Sequence, residues 1–144
     1  MRISLVESYY MFDLVNVDRE QLHKALRGMA IDHLKPKLRK EWHFTNPTKN
    51  FCYVVSEWLF HYVLPEGSTA YRLQIPGYDV KHYFCRLPNK KVIDLTAEQF
   101  DDYENVLYEN AKKATFMYPS PSKRARVLAT QYGPVQKMSG ASLF

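Results

Sequence analysis

The chain has 144 residues, 46% of them hydrophobic, with a formal net charge of +5 and two cysteines. This length suits a single domain, and no window approaches the roughly 18 to 20 continuous apolar residues of a membrane helix. Glu7 and Asp13 interrupt the apolar N-terminal stretch, which has no small-residue cleavage site, so a signal peptide is not expected. Cys52 and Cys85 make a poor disulfide framework, so a reduced, cytoplasmic protein is expected.

In chain order, residues 3–16 alternate weakly and fit either a strand or a short helix. A helix follows from Asp18 to about Arg27, with Asp18 as N-cap and Leu22, Leu26 and Met29 at helical spacing. It can continue through Leu34 until Pro36 interrupts it. KPKLRKEW is a basic segment, and NPTKN reads as a loop.

The next helix begins near Cys52, with Asn50 as a candidate cap. Cys52, Val55, Leu59 and Tyr62 give it an apolar stripe, and LPEG ends it. Three strands are then expected, in AYRLQI, KHYFCRL and KVIDLT. Thr96 and Gln99 fit a capping box that opens an acidic helix reaching about Lys113, with Phe100 turned into the core. PSPSKRARVLATQYG reads as a turn, a Ser122 cap, a helix to Tyr132 and a glycine stop. Residues 1–133 are taken as one α+β domain and 134–144 as a loose tail.

Charge is unevenly spread. Residues 110–144 hold six Lys or Arg and no acid, which leaves the preceding 109 residues near −1 against the total of +5. Asp94 to Glu109 holds six acids and no Lys or Arg. Either the two segments lie near each other, or the basic one meets nucleic acid or an acidic partner through Lys123, Arg124 and Arg126.

Cys52 invites a chemical reading. Thiols attack as thiolates, and the unpaired N–H groups and dipole of a helix N-terminus stabilise that anion, as does a neighbouring imidazolium. His82, at the start of a strand, is the best-placed histidine. His61 is nine residues beyond Cys52 on the same helix, several turns away. If the loop after KHYFCRL is Pro88–Lys90, Leu87 pairs with Lys91. His82 then falls opposite Thr96, with Asp94 as its diagonal neighbour on the same face. A two-residue loop would put them on opposite faces. Asp94 would hold the imidazole, as the third member of a triad does. The plain alternative is a core cysteine, since free Cys is among the most buried residue types. Cys85, mid-strand, reads as core. Cys52, His82 and Cys85 have no C-x-x-C or H-x-x-x-H pair among them, so neither metal nor cofactor is implied.

The order of a Cys at a helix start, then a His and an Asp on successive strands, resembles papain-like and transglutaminase-like cysteine enzymes. More closely, NFCYVVSEWLFHYV, KHYFCRLPNKKVIDLTAEQF and PSKRA resemble a bacterial and phage family labelled YunG-like, over residues 50–63, 81–100 and 121–125. The resemblance implies an α+β fold with the Cys-bearing helix packed on an antiparallel sheet. It implies Cys52 as nucleophile, His82 as base and Asp94 as orienting acid. Members often carry Gln or Asn directly before the Cys, where this chain has Phe51. Asn50, Asn46 and the Cys52 backbone N–H are therefore the oxyanion candidates. The function expected is a thiol hydrolase or acyltransferase (peptidase, amidase or glutamine deamidase) acting on a protein or peptide. A non-catalytic regulatory binding module using the basic C-terminal segment is the alternative.

Overall fold

The computed structural model describes residues 5–33, 51–74, 81–97, 108–114 and 119–139. The architecture is α+β, with an antiparallel four-stranded sheet and helices. No helix among the described residues is long and apolar enough to cross a membrane.

Helix α1 spans Leu5–Leu14, so the ambiguous N-terminal stretch is helical. It turns Met11 and Phe12 into the core and leaves Tyr9, Tyr10 and Leu14 exposed. Helix α2 spans Arg19–His33. Asp18 Oδ1 accepts from Gln21 N at 2.7 Å, which satisfies one of the unpartnered N–H groups of the first turn. Leu22, Ala25, Leu26 and Met29 form its buried stripe.

Helix α3 spans Cys52–Trp58 and widens into a π turn over Leu59–Val63, closed by Leu64 N donating to Leu59 O at 2.8 Å. Phe51, not Asn50, occupies its cap position, and no side chain caps it. Val54, Val55, Trp58 and Leu59 bury almost completely.

Strands β1 (Thr69–Gln74), β2 (Lys81–Arg86), β3 (Val92–Ile93) and β4 (Lys112–Ala114) form the sheet in the order β3-β2-β1-β4. The β2–β3 hairpin has the three-residue loop expected. Leu87 N donates to Lys91 O at 2.9 Å, Cys85 lies opposite Ile93, and Arg86 opposite Val92. Lys90 closes the loop at φ 71, in the left-handed region.

One expectation is corrected after β3, where the Thr96 N–H and hydroxyl donate to Asp94 Oδ1 at 3.2 and 3.3 Å. The acidic helix does not reach Lys113, because Tyr108–Asn110 is a 3-10 turn and Lys112–Ala114 is strand β4. The cause is tertiary: β4 pairs with the outer edge of β1, whose N–H and C=O groups would otherwise lack partners. Gln99 and Phe100 lie outside the described residues, as do KPKLRKEW and NPTKN.

Helix α4 spans Lys123–Tyr132, with the expected Ser122 cap accepting from Ala125 N and the Gly133 stop at φ 103. Leu128 is buried and Val127 half-buried, while Lys123 and Arg126 are exposed and Arg124 is half-buried. The helix start is anchored by the buried Glu57 of α3, whose carboxylate accepts from Ser122 N at 3.0 Å and from Ser122 Oγ. Its end is tied to α2, since Tyr132 OH accepts from Asp18 N and Tyr132 O accepts from Gln21 Nε2. Residues 134–139 of the expected loose tail are docked: Met138 N donates to Val63 O at 2.8 Å, and Val135 and Met138 pack against the core.

Candidate active site

The alternation of β2 sends its residues to two environments. Tyr83 and Cys85 face α3: the Tyr83 ring meets Tyr53 edge-on at 4.9 Å, and the Cys85 thiol donates to Ser56 O at 3.5 Å. His82, Phe84 and Arg86 point the other way. Phe84 stacks on Tyr71 and meets Tyr108 edge-on, and Arg86 lies over the Tyr71 ring at 4.4 Å. His82 thus enters a fully buried, partly aromatic compartment, 6.3 Å from the Phe84 ring centroid.

Asp94 reaches that compartment because the hairpin register gives it the same orientation as Phe84 and His82. His82 Nε2 and Asp94 Oδ2 lie 2.6 Å apart, with the two side chains 0% and 1% exposed. Tyr108 OH donates to the same Oδ2 at 2.6 Å. Oδ1 takes the two Thr96 donors, so the carboxylate is surrounded by hydrogen-bond partners. The Asp94 backbone N–H points at Met11 Sδ, 3.2 Å away, which places α1 over this side of the site.

Cys52 is the first residue of α3, and its sulfur lies 3.8 Å from Lys81 O at the start of β2. There it also lies close enough to His82 for the thiol to help raise the imidazole's pKa. Since Nε2 is engaged by Asp94, the ring nitrogen available to the thiol is Nδ1. His82, Asp94, Tyr108 and Thr96 therefore form one hydrogen-bonded group, with the Cys52 thiol beside it at the start of β2.

Burial by itself pulls the His82 imidazole toward its neutral form. The Asp94 charge and hydrogen bond outweigh that, with a further contribution from the Cys52 hydrogen bond and charge, and His82 is raised from 6.5 to about 10. Burial first, and then the nearby Asp94 charge, push the Cys85 thiol well above the ordinary range. The same two causes, joined by its hydrogen bond to Asp94, hold the Tyr108 phenol far above its usual value, so it remains a donor.

The two cysteines differ in access. Cys52 keeps 7% of its surface, whereas Cys85 keeps none. Asn46 and Asn50 lie outside the described residues. The first intrahelical donor of α3 is Val55 N, which meets Phe51 O at 2.9 Å, so the N–H groups of Cys52, Tyr53 and Val54 precede the helical ladder. No group of three or more His, Cys, Asp or Glu that could hold a metal ion occurs among the described residues.

Sequence reasoning missed Tyr108 and the role of Thr96. Tyr108 sits in an acidic stretch with no pattern tying it to Asp94, 14 residues away, and only the 3-10 turn before β4 brings the two together.

The fold and this geometry define the class: an α+β domain in which a helix-start thiol meets a buried His–Asp pair. A family model described as YunG protein matches residues 18–137, most of the chain. The chain belongs to the YunG family. Neither a curated protein nor a solved structure matches it.

Proposed function

We propose that the protein is a thiol hydrolase or acyltransferase, papain-like or transglutaminase-like in its Cys–His–Asp arrangement, acting on an amide or thioester of a protein or peptide. The observation that carries this reading is the buried His82–Asp94 pair at 2.6 Å, with the helix-start thiol of Cys52 held against the Lys81 carbonyl, next to His82 on β2. Titratable groups shifted by burial together with a specific charge partner cluster at functional sites.

In the proposed reaction the thiol proton resides on His82 and the sulfur attacks the acyl carbon. The resulting tetrahedral oxyanion draws on N–H groups at the start of α3, that of Cys52 first. Collapse breaks the bond to the leaving amine or thiol, which takes the proton from His82, and leaves a thioester on Cys52. Water, or an acceptor amine, then gives a proton to His82 and attacks the thioester. The acid or the transferred amide leaves, and the thiol is restored. Asp94 holds the ring through Nε2 throughout, and Tyr108 and Thr96 hold Asp94.

The test is acylation by p-nitrophenyl acetate. The expected result is a burst of nitrophenol and an acetyl group on Cys52, located by peptide mass mapping and missing from Cys52→Ala and His82→Gln. An acetyl group that forms equally well in His82→Gln, or none on Cys52 in the wild type, refutes the reading and favours the binding module.

A further inference from the structure

A cleft of about 330 Å³ is lined by Arg72, Leu73, Gln74, Lys81, Asn110 and Lys112. It touches the site through the backbone: Leu73 lies opposite His82, and the carbonyl of Lys81 lies 3.8 Å from Cys52 sulfur.

Three of its lining side chains are cationic, and each comes from a different strand. Arg72 on β1 lies opposite Lys112 on β4, and Gln74, two residues along β1, lies opposite Lys81 on β2. The register therefore puts Arg72, Gln74, Lys81 and Lys112 on one face. All four are exposed. Among the described residues none of the three cations is in an ion pair.

Two cations directly opposite each other on paired strands repel, which works against the sheet. Arg72 and Lys112 form such a pair, with Lys81 close by on the same face. An anion in the cleft would relieve that repulsion. The charges are spread over three strands, about 10 Å across, rather than converging on one point. Such a distribution suits several carboxylates along an extended chain better than a single compact anion.

We propose that this cleft binds an acidic peptide segment and makes the substrate a protein or peptide with carboxylate side chains next to the acyl group attacked. The word substrate rests on the hydrolase reading above; the binding site does not. Glu or Asp side chains of the segment meet Arg72, Lys81 and Lys112, and the backbone at Leu73 and Lys81 sets how far the segment lies from Cys52.

The experiment is a titration of the 15N-labelled full chain at low salt with acetyl-Glu-Glu-Glu-amide, followed by amide chemical shifts. Saturable shifts are expected at Leu73, Gln74, Lys81 and Lys112, with affinity at least tenfold above that for acetyl-Gln-Gln-Gln-amide or inorganic phosphate. Arg72→Gln/Lys112→Gln should weaken binding at least tenfold. If that double variant folds poorly, Lys112→Gln alone should weaken binding at least threefold while raising Tm in plain buffer, because it removes the cross-strand repulsion. Unchanged affinity in the variants, shifts centred on Lys123 and Arg126, or phosphate binding as tightly as the tri-glutamate each overturn the proposal. A chain that binds tri-glutamate here but never acquires an acetyl group on Cys52 keeps the cleft and loses the hydrolase. The reverse outcome keeps the hydrolase and loses the cleft.

Discussion

The phenol of Tyr108 and the imidazole of His82 converge on the same oxygen of Asp94, each at 2.6 Å. Tyr108 thereby limits how far the carboxylate can turn away from the histidine. Tyr108→Phe keeps the ring against Phe84 and removes only the donor. A hydrogen bond to a buried charged group is worth about 1.5–3 kcal/mol, and Thr96 still supplies two donors, so a loss near the lower end is expected in urea denaturation. A change under about 0.5 kcal/mol would mean that the Tyr108 hydroxyl contributes little to holding Asp94.

Cys52 and Cys85 should separate in alkylation. Iodoacetamide at pH 7 is expected to modify Cys52 and leave Cys85 untouched in the folded chain, since Cys85 is fully buried and its thiol is pushed upward. His82→Ala should slow modification of Cys52 at least tenfold, and Asp94→Asn, which preserves more of the local shape, should slow it as well. Peptide mapping by mass spectrometry reads both sites at once. An identical Cys52 rate in wild type and both variants leaves Cys52 as a core residue.

Stability should fall on the alkaline side. The folded His82 holds its proton more tightly than the unfolded imidazole, with its value raised from 6.5 to about 10. Its contribution is therefore fully present below about pH 6.5 and is lost as pH rises through about 10. Thermal melts from pH 6 to 10 should show a declining Tm in the wild type and a flatter profile in Asp94→Asn, which lacks the partner charge. Parallel profiles for the two proteins would show that the His82–Asp94 pair does not govern the slope.

Glu57 and Ser122 give a prediction away from the site. The Glu57 carboxylate is buried and takes both the backbone N–H and the hydroxyl of Ser122. Ser122→Ala removes one of those donors and the side-chain cap of α4 together, and should cost about 1–3 kcal/mol. Chemical denaturation measures this directly, and a cost below about 0.5 kcal/mol would show that the pair is loosely formed.

The parts of the fold legible in the sequence are those set by local chemistry. PNK between two strand patterns allowed a three-residue loop, and the register of that loop is what puts His82 and Asp94 on one face. Ser122 and Gly133 bracketed α4 correctly because caps and stops are written in neighbouring residues. Strand β4 was hidden because Lys112 and Lys113 carry no strand signature; their conformation comes from the free edge of β1, some 40 residues earlier. Tyr108 was hidden for the same reason, and the bond from the Thr96 hydroxyl to Asp94 is one that the cap pattern does not foretell. The weak alternation of residues 3–16 could not reveal that Met11 lies against the Asp94 backbone.

The loop at Pro88–Lys90 imposes an asymmetry on how this gene can change. Its side chains are exposed, and only Lys90 adopts a left-handed conformation, so replacements there cost little; Asn or Gly at position 90 would relieve strain. Loss of one codon is a different event. It would rotate everything beyond Leu87 by half a turn of the strand, carrying Asp94 out of reach of His82 while leaving the composition almost unaltered. Descendants of this sequence can therefore spell the loop in many ways, but not one residue shorter or longer.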